Sequence, residues 1–372
     1  MIREALAKLT SRVRSARNAA PVKALYEQGV GAFRAAEYAR AAQCAGQAAA
    51  LDPALAPIHF LLGNARFELR EFAAAEAAFT TCLALQPEYP LILHATVCRA
   101  QARARAAAES GRMPQVIAAP DSSPQISIII CSIRPERFAR VCETYRALFR
   151  DVRHEIIGIH DARSLCEGYN RGAARASGEI VLFSHDDIEI ATPDFAARLL
   201  RHLARHDVVG VAGTTRLIGG SWTYAGWPHL HGQVGSRISR PGSLMVTIYG
   251  LHGGEAVGVQ AIDGVFLAAH RRVLERVRFD EQTFDGWHLY DLDFTFSAHL
   301  AGFRTAVCQD LCLIHNSFGS YDRAWQNYIQ RFEDKHRGRL QSGEPQAQKR
   351  CTIEVASPAE WRLLTEDMIA HG

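Results

Sequence analysis

At 372 residues the chain exceeds one ordinary hydrophobic core, so two domains are the default, and 48% hydrophobic with 22% charged residues is the composition of a soluble globular protein. The formal net charge of +3 comes from basic residues that are scattered rather than banked, which argues against a nucleic-acid footprint. No stretch approaches the roughly 20 apolar residues of a membrane span, and the nine cysteines form no Cys-x-x-Cys pair. That odd, framework-free set points to a reduced intracellular compartment, with Cys308 and Cys312 as core thiols.

Residues 1–20 carry Arg3, Lys8, Arg12, Arg14 and Arg17 without a continuous apolar core, so they are no secretory signal. They read as a basic terminal helix that packs or frays; the alternative is an amphipathic helix lying on anionic lipid. The expected location is cytoplasmic, with peripheral attachment at the inner face of the membrane following from that alternative.

Residues 21–109 read as helical and repetitive. Gly29 meets Gly63, Tyr38 meets Phe72, Ala41 meets Ala75, Ala48 meets Cys82 and Pro53 meets Pro87, every pair 34 residues apart. Small residues let two antiparallel helices approach closely, and proline closes each unit. The pattern resembles the tetratricopeptide repeat, although Ala45 stands where Phe79 supplies the usual large aromatic in the second copy. A third helix, about 89–109, has no partner of its own and is expected to cap the array. Two repeats and a cap fall below the roughly three units that stand alone, so this region is expected to lean on a catalytic domain, the N-terminal helix or a second subunit. It serves either as a concave peptide- or protein-binding surface or as a dimerisation or packing appendage. Residues 110–124, with Gly111, Pro114, Pro120 and Pro124, lose all periodicity and read as a linker.

From residue 125 to 320 the pattern changes to α/β. Strands are expected at 126–131, 154–160 and 179–183, with helices at 136–149 and 165–176 between them, which predicts a parallel sheet covered on both faces. Ligands in such sheets sit beyond the carboxyl ends of the strands, where Ser132, Ile133, Arg134, Asp161 and the pair Asp186-Asp187 fall. Two carboxylates at a strand end can hold a hard divalent cation; their alternative role is a turn or helix cap before Thr192-Pro-Asp-Phe.

Asn170-Arg-Gly, Ala176-Ser-Gly-Glu and Ser184-His-Asp-Asp-Ile-Glu-Ile together resemble the donor half of family-2-type glycosyltransferases of the GT-A fold, over about 125–319. The resemblance implies a GT-A domain behind a small all-α tetratricopeptide-like domain. It assigns Ser132, Ile133, Arg134, Asp161, Asn170, Arg171 and Asp186 to the nucleotide-sugar donor. It gives the cation, Mn2+ or Mg2+, to Asp187 with Asp186 and His315. Tyr290-Asp-Leu-Asp matches the acceptor-side motif, with Asp291 as catalytic base and Asp293 as an anchor of the turn or helix. Asp263, Gly264, Trp287, His288 and Tyr290 would line the acceptor side. Two departures stand out: His185 occupies the place of the first Asp of the metal motif, and Tyr290 that of a Glu.

The implied activity is metal-dependent, inverting transfer from a UDP-, dTDP- or GDP-linked sugar to a hydroxyl of a saccharide, glycolipid or protein. The alternative is a tetratricopeptide adaptor whose glycosyltransferase-like domain is catalytically weak, supported by the two departures. A nucleotidyltransferase ranks below both because Ser132-Ile-Arg-Pro-Glu-Arg lacks the glycines of a phosphate loop. Residues 219–254, rich in Gly, His and aromatics, are expected to form a long active-site loop. Residues 321–372 are expected to be a helical tail, with Tyr321, Arg323, Trp325, Tyr328 and Arg331 folding over a diphosphate or packing on the sheet.

Overall fold

The computed structural model describes residues 19–372 except 89, 121–122, 238–242, 251–252, 318, 320–321, 347–349 and 372. The basic segment 1–20 therefore lies almost wholly outside the described residues, as does Tyr321. The chain forms two compact units, one comprising the helices up to Pro114 together with residues from Ala359 onward, the other Gln115–Pro358.

In the helical unit, α1 (Ala19–Arg34) and α2 (Tyr38–Leu51) form one hairpin, and α3 (Ala56–Glu68) and α4 (Phe72–Ala84) form the next. The turns repeat with the sequence. Ala36 and Arg70 take positive φ, 62° and 64°, and the N–H of Glu37 and of Glu71 reaches back to Ala32 O and Arg66 O, both at 2.9 Å. This is a left-handed helix cap used twice, 34 residues apart. Gly63 is required by packing: a Cβ there would lie 2.6 Å from the Phe79 ring.

Helix α5 (Leu91–Glu109) does not end the unit unpartnered, as the sequence suggested. Arg105 lies 2.7 Å from Glu360 and Arg103 3.5 Å from Asp367, both on α12 (Pro358–His371). That helix carries the buried side chains Trp361, Leu364 and Met368. A partner so distant in sequence leaves no periodic signal near α5.

The mixed unit is built on a seven-stranded sheet of order β2-β1-β3-β11-β5-β12-β9. Strands β1 (Ile126–Cys131), β2 (His154–Ile159) and β3 (Ile180–Ser184) are parallel, and β11 (Phe266–His270) runs antiparallel to β3 and to β5 (Val208–Gly210). β12 (Thr305–Cys308) lies between β5 and β9 (Glu255–Val257). The period-2 alternation of strands separates two cores. Ile126, Ile128, Ile130, Ile180 and Leu182 pack with α6 (Pro135–Leu148) and α8 (Phe195–Leu203); Ile129, Val181 and Phe183 pack with α7 (Leu165–Arg175) and α10 (Tyr290–Leu300). Between β11 and α10 lies the short α9 (Arg271–Arg276).

A second sheet has the order β10-β6-β7-β13-β4, extended through β7 by β8 and β14. Its strands are β4 (Ile188–Ile190), β6 (Ala212–Thr214), β7 (Leu230–Ser236), β8 (Leu244–Ile248), β10 (Ala261–Ile262), β13 (Leu313–His315) and β14 (Cys351–Val355). Two expectations are corrected here. Residues 219–254 are not one long loop, because they contain β7 and β8. Glycines hid β7, and one of them is obligatory: Gly232 has φ +91°, and a Cβ would stand 2.0 Å from Val211 O, between β5 and β6. The segment 321–372 is not helical throughout. After α11 (Arg323–Lys335) it supplies β14, antiparallel to β8. All nine cysteines are free, and Cys308 and Cys312 are buried.

Candidate active site

The apolar run of β3 ends at Ser184, and the chain leaves the sheet through His185, Asp186 and Asp187 before pairing again as β4. Strand β13 returns antiparallel to β4 with His315 opposite Ile188, and the N–H of Asn316 donates to Asp187 O at 3.0 Å. That register sets the imidazole of His315 beside the end of β3. His315 Nε2 lies 3.4 Å from Asp187 Oδ1 and 3.2 Å from His185 Nδ1, and His185 Nδ1 lies 4.0 Å from Asp187 Oδ1. Ser317 Oγ is 3.0 Å from the same His315 nitrogen.

These three donors suit a divalent cation of borderline character. Bonds of about 2.1 Å place neighbouring ligands about 3.0–3.5 Å apart. Burial would raise the pKa of Asp187, but the hydrogen bond and charge of His315, with Ser317 and His185, outweigh it and hold the carboxylate well below its usual range. Burial, and then His315, push His185 down to about 4, so it is neutral, as a ligand must be.

Asp186, expected in the cation site, turns away from this cluster. Ser132 Oγ donates to its Oδ2 at 2.6 Å, tying the end of β1 to the end of β3. Among the described residues the cluster of potential ligands is His185, Asp187 and His315. His185, read from the sequence only as a departure, takes the place given to Asp186. Side chains at adjacent positions after a strand end diverge, and which one faces the cluster depends on the β4–β13 pairing, which no local pattern encodes.

The other donor-side residues divide. Ile133 is 77% exposed at the end of β1, and Arg134 starts α6 as its N-cap. Asp161, exposed after β2, pairs with Arg171. The Asn170 amide is spent on backbone: it donates to Phe279 O at 2.8 Å and accepts from Phe279 N–H at 3.2 Å, pinning a loop of the core. Sequence reading missed Arg137. Its Nη1 stands 3.6 Å from Asp187 Oδ2 and 3.8 Å from Asp186 Oδ1. Pro135 at the first turn of α6 was the available signal, since it fixes where the helix starts and so which residues face the strand ends.

On the other side, α10 begins after Leu289, a buried residue in the left-handed region (φ +60°). Asp291 Oδ2 accepts from Gly264 N–H at 2.7 Å. Burial, and then the neighbouring charge of Asp263, raise Asp291 to about 7. Asp263 itself accepts from the Trp222 indole at 3.0 Å and from Val265 N–H at 3.0 Å. Tyr290 Oη lies 3.1 Å from Gly264 O and 2.8 Å from His185 Nε2. Gly264 has no room for a side chain: a Cβ would meet Tyr290 Oη at 2.3 Å and Asp291 Cβ at 2.6 Å. A continuous path therefore runs from the His-Asp-His cluster through Tyr290 and Gly264 to Asp291.

Asp293 is buried against α11, with Lys335 Nζ at 2.7 Å and His336 Nε2 at 2.8 Å. Trp287 is 52% exposed just before α10, and His288 Nε2 lies 3.9 Å from Asp322 Oδ1. Tyr328 Oη and Arg331 Nη1 both reach Asp285, at 2.9 and 2.7 Å, so α11 braces the loop that leads into α10.

Residues 127–337 match the sequence profile of the Glycosyltransferase like family. No curated protein matches the chain. Among solved structures, a mannosyltransferase from Pyrobaculum calidifontis in complex with GDP-Man and Mn2+ is similar at 13% identity over 82% of each chain, with a TM-score of 0.39. The protein A197 from STIV is 13% identical over 53% of this chain and 97% of its own, with a TM-score of 0.30. GalNAc-T7 with UDP, GalNAc and Mn2+ is 10% identical over 56% of this chain and 48% of its own, with a TM-score of 0.34.

Proposed function

The chain belongs to the glycosyltransferase-like family, and on that premise we propose that it transfers a sugar from a nucleotide-sugar donor to an acceptor hydroxyl, with Asp291 as general base and a divalent cation held by His185, Asp187 and His315. The observation that carries this reading is the convergence of two chemistries at one end of the sheet: a compact His-Asp-His donor set and a carboxylate raised to about 7, joined through Tyr290 and Gly264.

Asp291 is suited to its step. A base works best when its pKa lies near the working pH, ionised often enough to act yet basic enough to take a proton. The acceptor hydroxyl attacks the anomeric carbon as its proton passes to Asp291, and inversion is the stereochemistry expected of such a single displacement. A cation at the cluster would neutralise charge growing on the departing diphosphate. Ser132 and Asp186 frame the donor side at the ends of β1 and β3, and Arg137 brings positive charge to the same place. Trp287 offers an exposed ring for an acceptor sugar face. The donor nucleotide would be UDP, dTDP or GDP, and the acceptor a glycan, glycolipid or protein.

The helical unit is read as a tetratricopeptide-like domain, on the repeated turns and the Gly63–Phe79 packing, and is offered as a surface for a protein partner or a second copy. Among the described residues no helix is long and apolar enough to cross a membrane. The catalytically weak alternative leaned on His185 and Tyr290 as departures. Their 2.8 Å contact makes both of them parts of the candidate site, which favours an active transferase. The test is hydrolysis and transfer with UDP-, dTDP- and GDP-sugars, with and without Mn2+. Cation-dependent turnover of one donor is expected; no turnover and no thermal stabilisation by any of them would reject the reading.

A further inference from the structure

We infer that Tyr290 and His185 act as one device: the tyrosine fixes the imidazole tautomer that makes His185 a ligand, and the resulting two-imidazole site selects Mn2+-class ions over Mg2+. This inference rests on the proposed cation site. Tyr290 Oη has one hydrogen and two neighbours, Gly264 O at 3.1 Å and His185 Nε2 at 2.8 Å. The carbonyl oxygen can only accept, and Gly264 is buried, so leaving that oxygen unpaired would carry the desolvation cost of an orphaned acceptor. The tyrosine proton therefore goes to Gly264 O, and Tyr290 accepts from His185 Nε2–H. A neutral imidazole protonated at Nε2 has its lone pair on Nδ1. That is the atom 3.2 Å from His315 Nε2 and 4.0 Å from Asp187 Oδ1.

The two sequence departures are thus complementary. A carboxylate at position 185 would have no need of a donor-orienting partner. An imidazole there has two possible tautomers, of which only one ligates, and the hydroxyl of Tyr290 selects it. A Glu at position 290 would also accept from His185, but it could not donate to Gly264 O while ionised. Gly264 closes the arrangement, since any side chain there would displace the Tyr290 hydroxyl. The chemical consequence is a donor set of two nitrogens and one carboxylate. Imidazole nitrogen is accepted by first-row transition ions, Mn2+ the weakest of them, and fits Mg2+ poorly, because Mg2+ prefers an all-oxygen octahedral shell and gives up water reluctantly.

The experiment is titration of the full chain with Mn2+ and with Mg2+ alone, without nucleotide, by calorimetry and by Mn2+ electron paramagnetic resonance. His185→Ala, His185→Asp, Tyr290→Phe and the double variant His185→Ala/Tyr290→Phe are compared. The wild type should prefer Mn2+. Tyr290→Phe should weaken Mn2+ by about 10- to 100-fold, the usual cost of losing a partner that orients a ligand. The double variant should be no weaker than His185→Ala, because Tyr290 acts through His185. His185→Asp should narrow the preference toward Mg2+. In nitrogen-15 spectra the wild type should show the Nε2–H tautomer of His185, and Tyr290→Phe a mixture.

Wild-type Mn2+ affinity in His185→Ala, or additive losses in the double variant, would overturn the inference. Folding is controlled by thermal melting, and His185→Asp keeps the test open if the alanine variant melts early. The two readings separate cleanly. Mn2+ binding that depends on His185 and Tyr290 without any nucleotide-sugar turnover would reject the transferase reading alone. Mn2+-dependent turnover indifferent to His185 would reject this inference and the place of His185 in the cation site, and leave sugar transfer itself standing.

Discussion

Arg137 directs its guanidinium at Asp187, Nη1 to Oδ2 at 3.6 Å, from the first turn of α6. The separation exceeds a hydrogen bond, so charge rather than fixed geometry couples the pair. Arg137→Gln should therefore act in opposite directions on two ligands. Mn2+ alone should bind about two- to five-fold tighter, the scale of a part-exposed ion pair, because a competing cation is gone. A nucleoside diphosphate with Mn2+ should bind more weakly. Calorimetry of both on the same preparation decides it; losses in both would mark Arg137 as merely structural.

Asp187→Ala should abolish cation-dependent nucleotide binding. Because the carboxylate is held below its usual range by His315 and its neighbours, the variant should also melt lower at neutral pH, with the gap closing as pH falls. Unchanged affinity for a nucleoside diphosphate and Mn2+ in the variant would remove Asp187 from the site.

Asp291→Asn preserves shape but cannot accept the proton, so kcat should fall by about 10²–10⁴-fold with donor affinity unchanged. In the wild type, kcat should rise with pH through an apparent value near 7, where burial and the neighbouring charge of Asp263 place Asp291. The sign for stability is the reverse. A carboxyl whose folded pKa lies above its unfolded value contributes fully below the unfolded value, and that contribution is lost as pH rises through about 7. Asp291→Asn should therefore melt higher than wild type at pH 8, with the gap closing toward pH 4. Melting curves across that range, beside a kcat–pH profile, test both halves.

Asp293→Asn is the matching control two residues on. It takes one of two carboxylates from Lys335, which keeps Asp280 at 2.8 Å, and weakens the hydrogen bond of buried His336, which should cost about 1–3 kcal/mol of stability. Turnover per folded molecule should stay near wild type. Urea titration gives the first quantity and active-fraction kinetics the second. Full stability with lost turnover would mean that the roles of Asp291 and Asp293 are exchanged.

Part of the candidate site was legible because an α/β sheet collects loop residues from separated strands at one edge, which singled out Asp187. Roles for His315, Asp263 and Asp291 came from the resemblance to family-2-type glycosyltransferases. Which neighbour faces inward was not legible. Asp186 and His185 exchange places because β13 pairs with β4 in one register, fixed by residues more than a hundred positions away. Asn170 looked like a donor-side residue but pins Phe279, a contact that no spacing announces. Strand β7 was hidden by its glycines, of which Gly232 is demanded by the close approach of Val211. The helical repeat was legible because its 34-residue period is written in the residues that pack and turn.

The helical unit is discontinuous in sequence: α1–α5 precede the mixed unit and α12 follows it, so Gln115–Pro358 is an insertion within one helical array. Two connections, not one, join the halves covalently. A protease cut within residues 110–124 would leave them linked through residue 358, and the products would separate only after a second cut. During synthesis α5 must wait for the entire insertion before the carboxylates of Glu360 and Asp367 arrive to meet Arg105 and Arg103. Completion of the repeat array thus reports that the inserted unit has already been made.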